Sequence, residues 1–273
     1  MASVEREAGV PDDYQAEVAS PPDPDPNGPP PSAPAVPAPP PVRPTRSHRW
    51  GIGAYVTAEA VFLGTSFLIG LMIAGTSPSA GTLAFGVAVP TVLAAGVALL
   101  ITRIRGNGPA TDLGLRWSWR DLGMGLAFGI GGLVITIPAS LLYIAIAGNE
   151  TTTAVGKVFG DVRAGPAAAI AVFAIVVLLA PLCEEILYRG LLWGAVERLG
   201  AGRWVTLGVT TLLFALAHLE FARTPLLLIV AIPIGLARLY TGRLLASIVA
   251  HQVNNLLPGI VLMLSLLGVV PMS

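Results

Sequence analysis

The stretch from Ala167 to Cys183 is an almost uninterrupted run of apolar residues, one of several such runs that follow Trp50. A soluble domain carries about 25% charged residues, and runs of this length are ordinary only where lipid is the solvent. Here charged residues are 12% of the chain and hydrophobic ones 54%, with a mean hydropathy of +0.74. The expected fold class is therefore all-α: a polytopic transmembrane helical bundle in which the lipid bilayer is the first partner.

About eight apolar segments can be placed, over residues 51–75, 79–102, 121–147, 165–183 continuing to 199, 204–219, 225–241, 244–257 and 258–271. The last two are short for a bilayer that takes about 20 residues per helix, so they read as tilted, re-entrant or one span broken at Pro258. Arginine placement tests the order. Arg103, Arg105, Arg116 and Arg120 follow the second segment, Arg198 and Arg203 the fourth, and Arg238 and Arg243 flank the junction after the sixth. All fall on the amino-terminal side if the segments alternate. The connection from Gly148 to Gly165, with Glu150, Lys157, Asp161 and Arg163, then faces the other side. The 31 glycines read as close helix contacts.

Residues 1–49 form a separate region. Of the chain's 24 prolines, 14 precede Thr45, and large apolar side chains are nearly absent there. Such a segment has nothing to offset chain entropy and reads as a disordered, partly polyproline II tail. It has no signal-peptide core. Arg43, Arg46 and Arg49 form a basic collar before the first apolar segment, which predicts a cytoplasmic amino terminus on a multi-pass protein of the cell membrane. The division is thus a tail, 1–49, and a membrane domain, 50–273. Net charge is zero, which gives no support to a nucleic acid partner. One cysteine, Cys183, excludes an intrachain disulfide and reads as a small buried apolar residue.

Against this apolar background the string Glu184-Glu185-Ile186-Leu187-Tyr188-Arg189 stands out. An ionisable group in a bilayer costs about 2.5–3.5 kcal/mol on insertion scales, so it pairs or serves a function. Glu185 and Arg189 are four apart on one helix face and can pair as a structural salt bridge. Glu184 is turned about 100° away and needs partners from another helix. The chain has three histidines. His48 sits in the collar and is expected to be solvated, whereas His218 and His251 lie in apolar surroundings, and His251 shares a helix face with Asn255. Glu184 lies 17 residues before Ala201 and His218 lies 17 after it, so in a helical hairpin both stand about 25 Å from the turn.

One free carboxylate, two imidazoles and a carboxamide suit hydrolysis: glutamate takes a proton from water, histidines orient that water or bind a metal, and the amide stabilises an oxyanion. Two histidines with a carboxylate also make a catalytic zinc set. The helical zinc motif with two histidines flanking a glutamate within five residues is absent.

Taken in order, Glu184-Glu185-xxx-Arg189, Phe214-xxx-His218 and His251-xxx-Asn255 resemble the three motifs of the CAAX protease and bacteriocin-processing (CPBP) intramembrane peptidases. That family also contains the eukaryotic Ras-converting CAAX prenyl endopeptidases. The resemblance covers roughly residues 166–257. It implies a bundle of about eight spans that hydrolyses a peptide bond, with Glu184 activating water and His218 and His251 positioning that water or, with Glu184, holding a divalent metal such as zinc. Asn255 would contact the oxyanion, and Glu185 and Arg189 would support the site. Both a metallopeptidase and a metal-free glutamate mechanism are compatible with it, and the implied substrates are prenylated carboxy-terminal tails or leader peptides.

Plainer readings stand beside these. Asn255 and Asn254 can each glue helices, either histidine can satisfy an interhelical hydrogen bond, Phe214 can be simple packing, and Trp117 and Trp119 fit an interfacial aromatic belt. A non-catalytic immunity or scaffold protein would share the fold and tolerate loss of Glu184. A small transporter would repeat its polar groups in both halves, whereas here they are read only in the second half. A channel would show a ring-forming segment.

Overall fold

The computed structural model describes residues 48–147, 154–160 and 162–271. The expectations for the tail before His48, and for Glu150 and Asp161, lie outside the described residues. All regular structure among these residues is helical: α1 (Ile52–Ile73), α2 (Ala80–Arg105), α3 (Pro109–Asp112), α4 (Trp119–Ala147) and α5 (Ala154–Phe159). They are followed by α6 (Pro166–Arg198), α7 (Arg203–Ala217), α8 (Thr224–Thr241) and α9 (Leu244–Leu266).

Six of these helices are long and apolar enough to cross a bilayer, α8 with its preceding turn among them. The architecture is that of a multi-pass membrane protein. The expected segments 244–257 and 258–271 are in fact one helix, α9, which runs through Pro258 without a break. At 23 residues it spans about 35 Å, enough for a single crossing. By contrast α7, with 15 residues, reaches only about 22 Å and ends at His218, short of a full crossing.

Hairpins α1–α2 and α7–α8 and the contacts of α4 with α8 and α9 make up the bundle, with α6 packed between α2 and α9. The α4–α9 seam is built on small residues: a side chain at Gly125 or Gly129 would strike Val249 or Val253. This is the close approach that a glycine pair four residues apart allows in lipid. The outer faces carry exposed Phe67, Leu71, Val134 and Leu141, as expected for surfaces that meet acyl chains.

The predicted alternation of arginines holds. The Arg49 N–H donates to Arg105 O at 2.7 Å, Leu244 N–H donates to Gly114 O at 3.2 Å, and Arg243 pairs with Asp121 at 3.3 Å. Arg198 donates to the carbonyls of His48 and Trp50. These bonds bring the starts of α1, α4 and α9 and the ends of α2 and α6 to one basic end of the bundle. His48 is not freely solvated there. It stacks on the buried Trp50 at 3.9 Å between ring centroids, because that indole is anchored to Asp112 and offers a flat apolar face. Trp117 and Trp119 are exposed at the same end, where amphipathic rings meet headgroups.

Candidate active site

Helix α6 carries the site through an irregular backbone. It widens into π-helical turns at Ile175–Leu179 and Ile186–Leu192, leaving Ala180–Glu185 as an α-helical island between them. Pro181 explains the first turn in part: it has no N–H for the carbonyls four and five residues before it. Two side chains of α9 cap this stretch, Asn255 donating to Val176 O at 3.1 Å and Gln252 to Leu178 O at 3.1 Å. π-helical turns of this kind are frequent at functional sites.

The island presents its two glutamates in opposite ways. Glu185 is completely buried and accepts two bonds on Oε1, from Arg189 Nη1 at 3.0 Å and from His251 Nδ1 at 2.9 Å. Arg189, equally buried, also donates to Ala231 O at 3.2 Å, tying α6 to α8. The expected pairing of Glu185 with Arg189 is present. The Glu184 side chain is 27% exposed, and its Oε2 stands 3.7 Å from His251 Nε2. His251 thus lies between the two glutamates. Because a carboxylate can only accept, Nδ1 carries the proton shared with Glu185, and Nε2 faces Glu184.

His218 joins through Phe214. Its Nδ1–H donates to Phe214 O at 2.8 Å, so its tautomer is fixed too. The buried Phe214 ring lies 4.7 Å from the His218 ring, 5.5 Å from the His251 ring and 5.3 Å from that of Tyr188, with the Arg189 guanidinium 4.5 Å above it. Phe214 is therefore packing of a particular kind, a spacer that sets both imidazoles. Immediately after His218 the chain turns with Leu219 at a positive φ of 55°, which ends α7 at the level of the site.

Asn255 lies one turn beyond His251 and holds α6, as described above. Asn254 points elsewhere, donating to Ala250 O and accepting from Thr136 in the α4–α9 seam. The two asparagines thus face different neighbours around α9. The thiol of Cys183 is buried and free.

As to a metal, no three His, Cys, Asp or Glu side chains among the described residues converge closely enough to hold an ion. Each histidine uses Nδ1 on a protein acceptor, which leaves Nε2 available, and of the expected set Glu184 and His251 are the pair within 4 Å of each other.

One functional candidate was not read from the sequence. Glu59, the single charged residue of α1, lies beside Tyr188, whose hydroxyl stands 3.5 and 3.4 Å from its two carboxylate oxygens, and it is within electrostatic range of Glu184 and His218. The polar groups of the membrane interior are therefore not confined to the second half of the chain. A lone carboxylate in an apolar segment was the available signal.

Residues 166–257 match the family model described as type II CAAX prenyl endopeptidase Rce1-like. That motif-bearing segment is similar to the Rce1-like family. The match spans the whole of the glutamate, histidine and asparagine constellation and supports the CAAX protease resemblance drawn from the three motifs. The Rce1-like segment supplies α6 from its first residue and α9 through Leu257, so α1 to α5 lie outside it. No curated protein and no solved structure matches the chain significantly.

Proposed function

We propose that the protein is an intramembrane endopeptidase of the CAAX type, in which Glu184 activates water for attack on a substrate peptide bond. The observation that carries this reading is His251, held through Nδ1 by the buried Glu185 and offering Nε2 to Glu184 across 3.7 Å. That gap is too long for a direct hydrogen bond and suits a shared water. Such a water donates one hydrogen to Glu184 and the other to His251 Nε2, leaving an oxygen lone pair for the carbonyl carbon.

As the C–O bond forms, Glu184 takes the water's proton and negative charge develops on the carbonyl oxygen. Asn255 uses one N–H on Val176 and has a second for that oxyanion. Collapse of the intermediate breaks the C–N bond, Glu184 returns its proton to the departing amine, and the carboxylate is regenerated. His218 positions water or substrate through Nε2, the ring nitrogen it has free. Glu185 and Arg189 are supports, holding His251 and joining α6 to α8. No step passes through a metal.

The basic end of the bundle would face the cytoplasm of a cell membrane under the positive-inside rule, with residues 1–49 as a tail on that side. Prenylated carboxy-terminal tails and leader peptides are the substrate classes to try first. The test is cleavage of membrane-peptide substrates by purified protein in liposomes, comparing wild type with Glu184→Gln, each with and without a strong chelator. Cleavage that disappears in Glu184→Gln and survives chelation supports the reading. Loss with chelator and return with zinc would replace it with a metallopeptidase. A Glu184→Gln variant that still supports the cellular role would favour a scaffold.

A further inference from the structure

The polar groups at the site fall into two tiers of exposure. Glu185, Arg189 and His251 are buried and mutually bonded, and the Glu185 and Arg189 charges cancel within the protein. Glu59, Glu184 and His218 are only half-buried, so these are the groups that a substrate entering the site would meet. Two of the three groups in this open tier are carboxylates, and neither arginine nor lysine is among them.

Glu59 belongs to it by construction of α1. Tyr55, Ala58, Glu59 and Phe62 share one face of that helix, at spacings of three and four residues, and Tyr55 and Ala58 are buried against the bundle. The Glu59 carboxylate is aimed inward, flanked by Tyr188, whose ring packs edge-on to Tyr55 at 5.9 Å. Among the described residues no arginine or lysine forms an ion pair with it. Phenols orient a carboxylate without neutralising it. A membrane-embedded acid with no arginine or lysine paired to it, within electrostatic range of Glu184 and His218, is set to receive a positive charge from outside the chain.

We infer that Glu59, oriented by Tyr188, is a specificity-determining residue that recognises a protonated amine or guanidinium on the peptide substrate close to the bond being cut. This rests on the peptidase reading for its setting, and its test reads binding so that the two can fail separately. Matched membrane peptides carrying lysine or its uncharged isostere norleucine near the cleavage position are titrated against full-length protein. The cleavage-inactive Glu184→Gln background is used, with Glu59 intact or changed to Gln.

With Glu59 intact the lysine peptide should bind roughly ten- to a hundredfold more tightly than the norleucine peptide, the range of a charge-assisted hydrogen bond. Glu59→Gln should erase the difference while leaving norleucine binding and thermal stability unchanged. Glu59→Lys should reverse the preference toward a glutamate-bearing peptide, and Tyr188→Phe should weaken the discrimination without abolishing it. Equal affinity for both peptides with Glu59 intact, or the same discrimination after Glu59→Gln, would overturn the inference. Failure of wild type to cut peptides that bind with this charge preference would instead count against the peptidase reading alone.

Discussion

Replacing Arg189 with methionine isolates the buried ion pair at the centre of the site. Arg189 and Glu185 are both fully buried and joined by one contact of 3.0 Å. Removing one member of a buried pair costs about 3–5 kcal/mol, because the survivor is left as an uncompensated charge. Here Glu185 Oε2 and Arg189 Nε have no hydrogen-bond partner, so the pair is not bidentate, and the cost belongs near the lower limit, about 3 kcal/mol. For a domain of this size that corresponds to a melting shift on the order of 10 °C. The double variant Glu185→Gln/Arg189→Met removes both charges and should recover more than half of the loss, since isosteric replacement of a buried pair is often neutral. Glu184→Gln, at a partly exposed carboxylate outside the Glu185–Arg189 pair, should melt with wild type while losing activity. Thermal unfolding of the purified protein in one detergent, read by intrinsic fluorescence, compares all four. An Arg189→Met protein as stable as wild type, or a double variant less stable than Arg189→Met, would refute the assignment of this pair as structural.

Phe214→Ala removes the ring that spaces both imidazoles and should cost about 3–5 kcal/mol together with most of the turnover; Phe214→Leu should restore stability better than rate, measured by melting and steady-state cleavage side by side. Gly129→Val would drive a side chain against Val253 at 2.7 Å and the Ala250 backbone at 3.2 Å, whereas Gly131 has nothing within 4 Å; expression and melting should fall for the first and stay unchanged for Gly131→Ala. Asn255→Leu strips Val176 O of its donor and should cost about 1–3 kcal/mol along with cleavage. Adding Pro181→Ala, which returns a backbone N–H to that turn, should recover stability without recovering rate if Asn255 also serves the oxyanion.

Much of this architecture was legible because lipid leaves the sequence few options. Long apolar segments had to be helices, and arginines spaced between alternate segments had to gather at one end, which the Arg49, Arg105, Arg198 and Arg243 contacts bear out. Four-residue spacing was enough to pair Glu185 with Arg189. Tertiary packing was not legible. Pro258 looked like a break, yet the helix runs through it from Leu244 to Leu266. Nothing in the spacing along the chain placed His251 beside both glutamates, where it lies. The bond from Asn255 to Val176 depends on a π-helical turn in another helix, a register that spacing on one chain does not encode.

Glu59 shows where reading by motif narrows the view. The two glutamates of α6 drew attention because they were adjacent and followed by an arginine, whereas Glu59 stands alone in α1, a helix outside the Rce1-like segment. Its energetic anomaly is nonetheless the greater of the two types: Glu185 is neutralised four residues away, but Glu59 faces two phenols. The same physical cost that makes the buried pair a structural device is the reason for proposing roles for Glu59 and Glu184. A bundle that needed only stability could have neutralised or replaced both Glu59 and Glu184. It keeps them half-buried and within electrostatic range of each other, where, on the proposal above, an incoming chain supplies a positive charge.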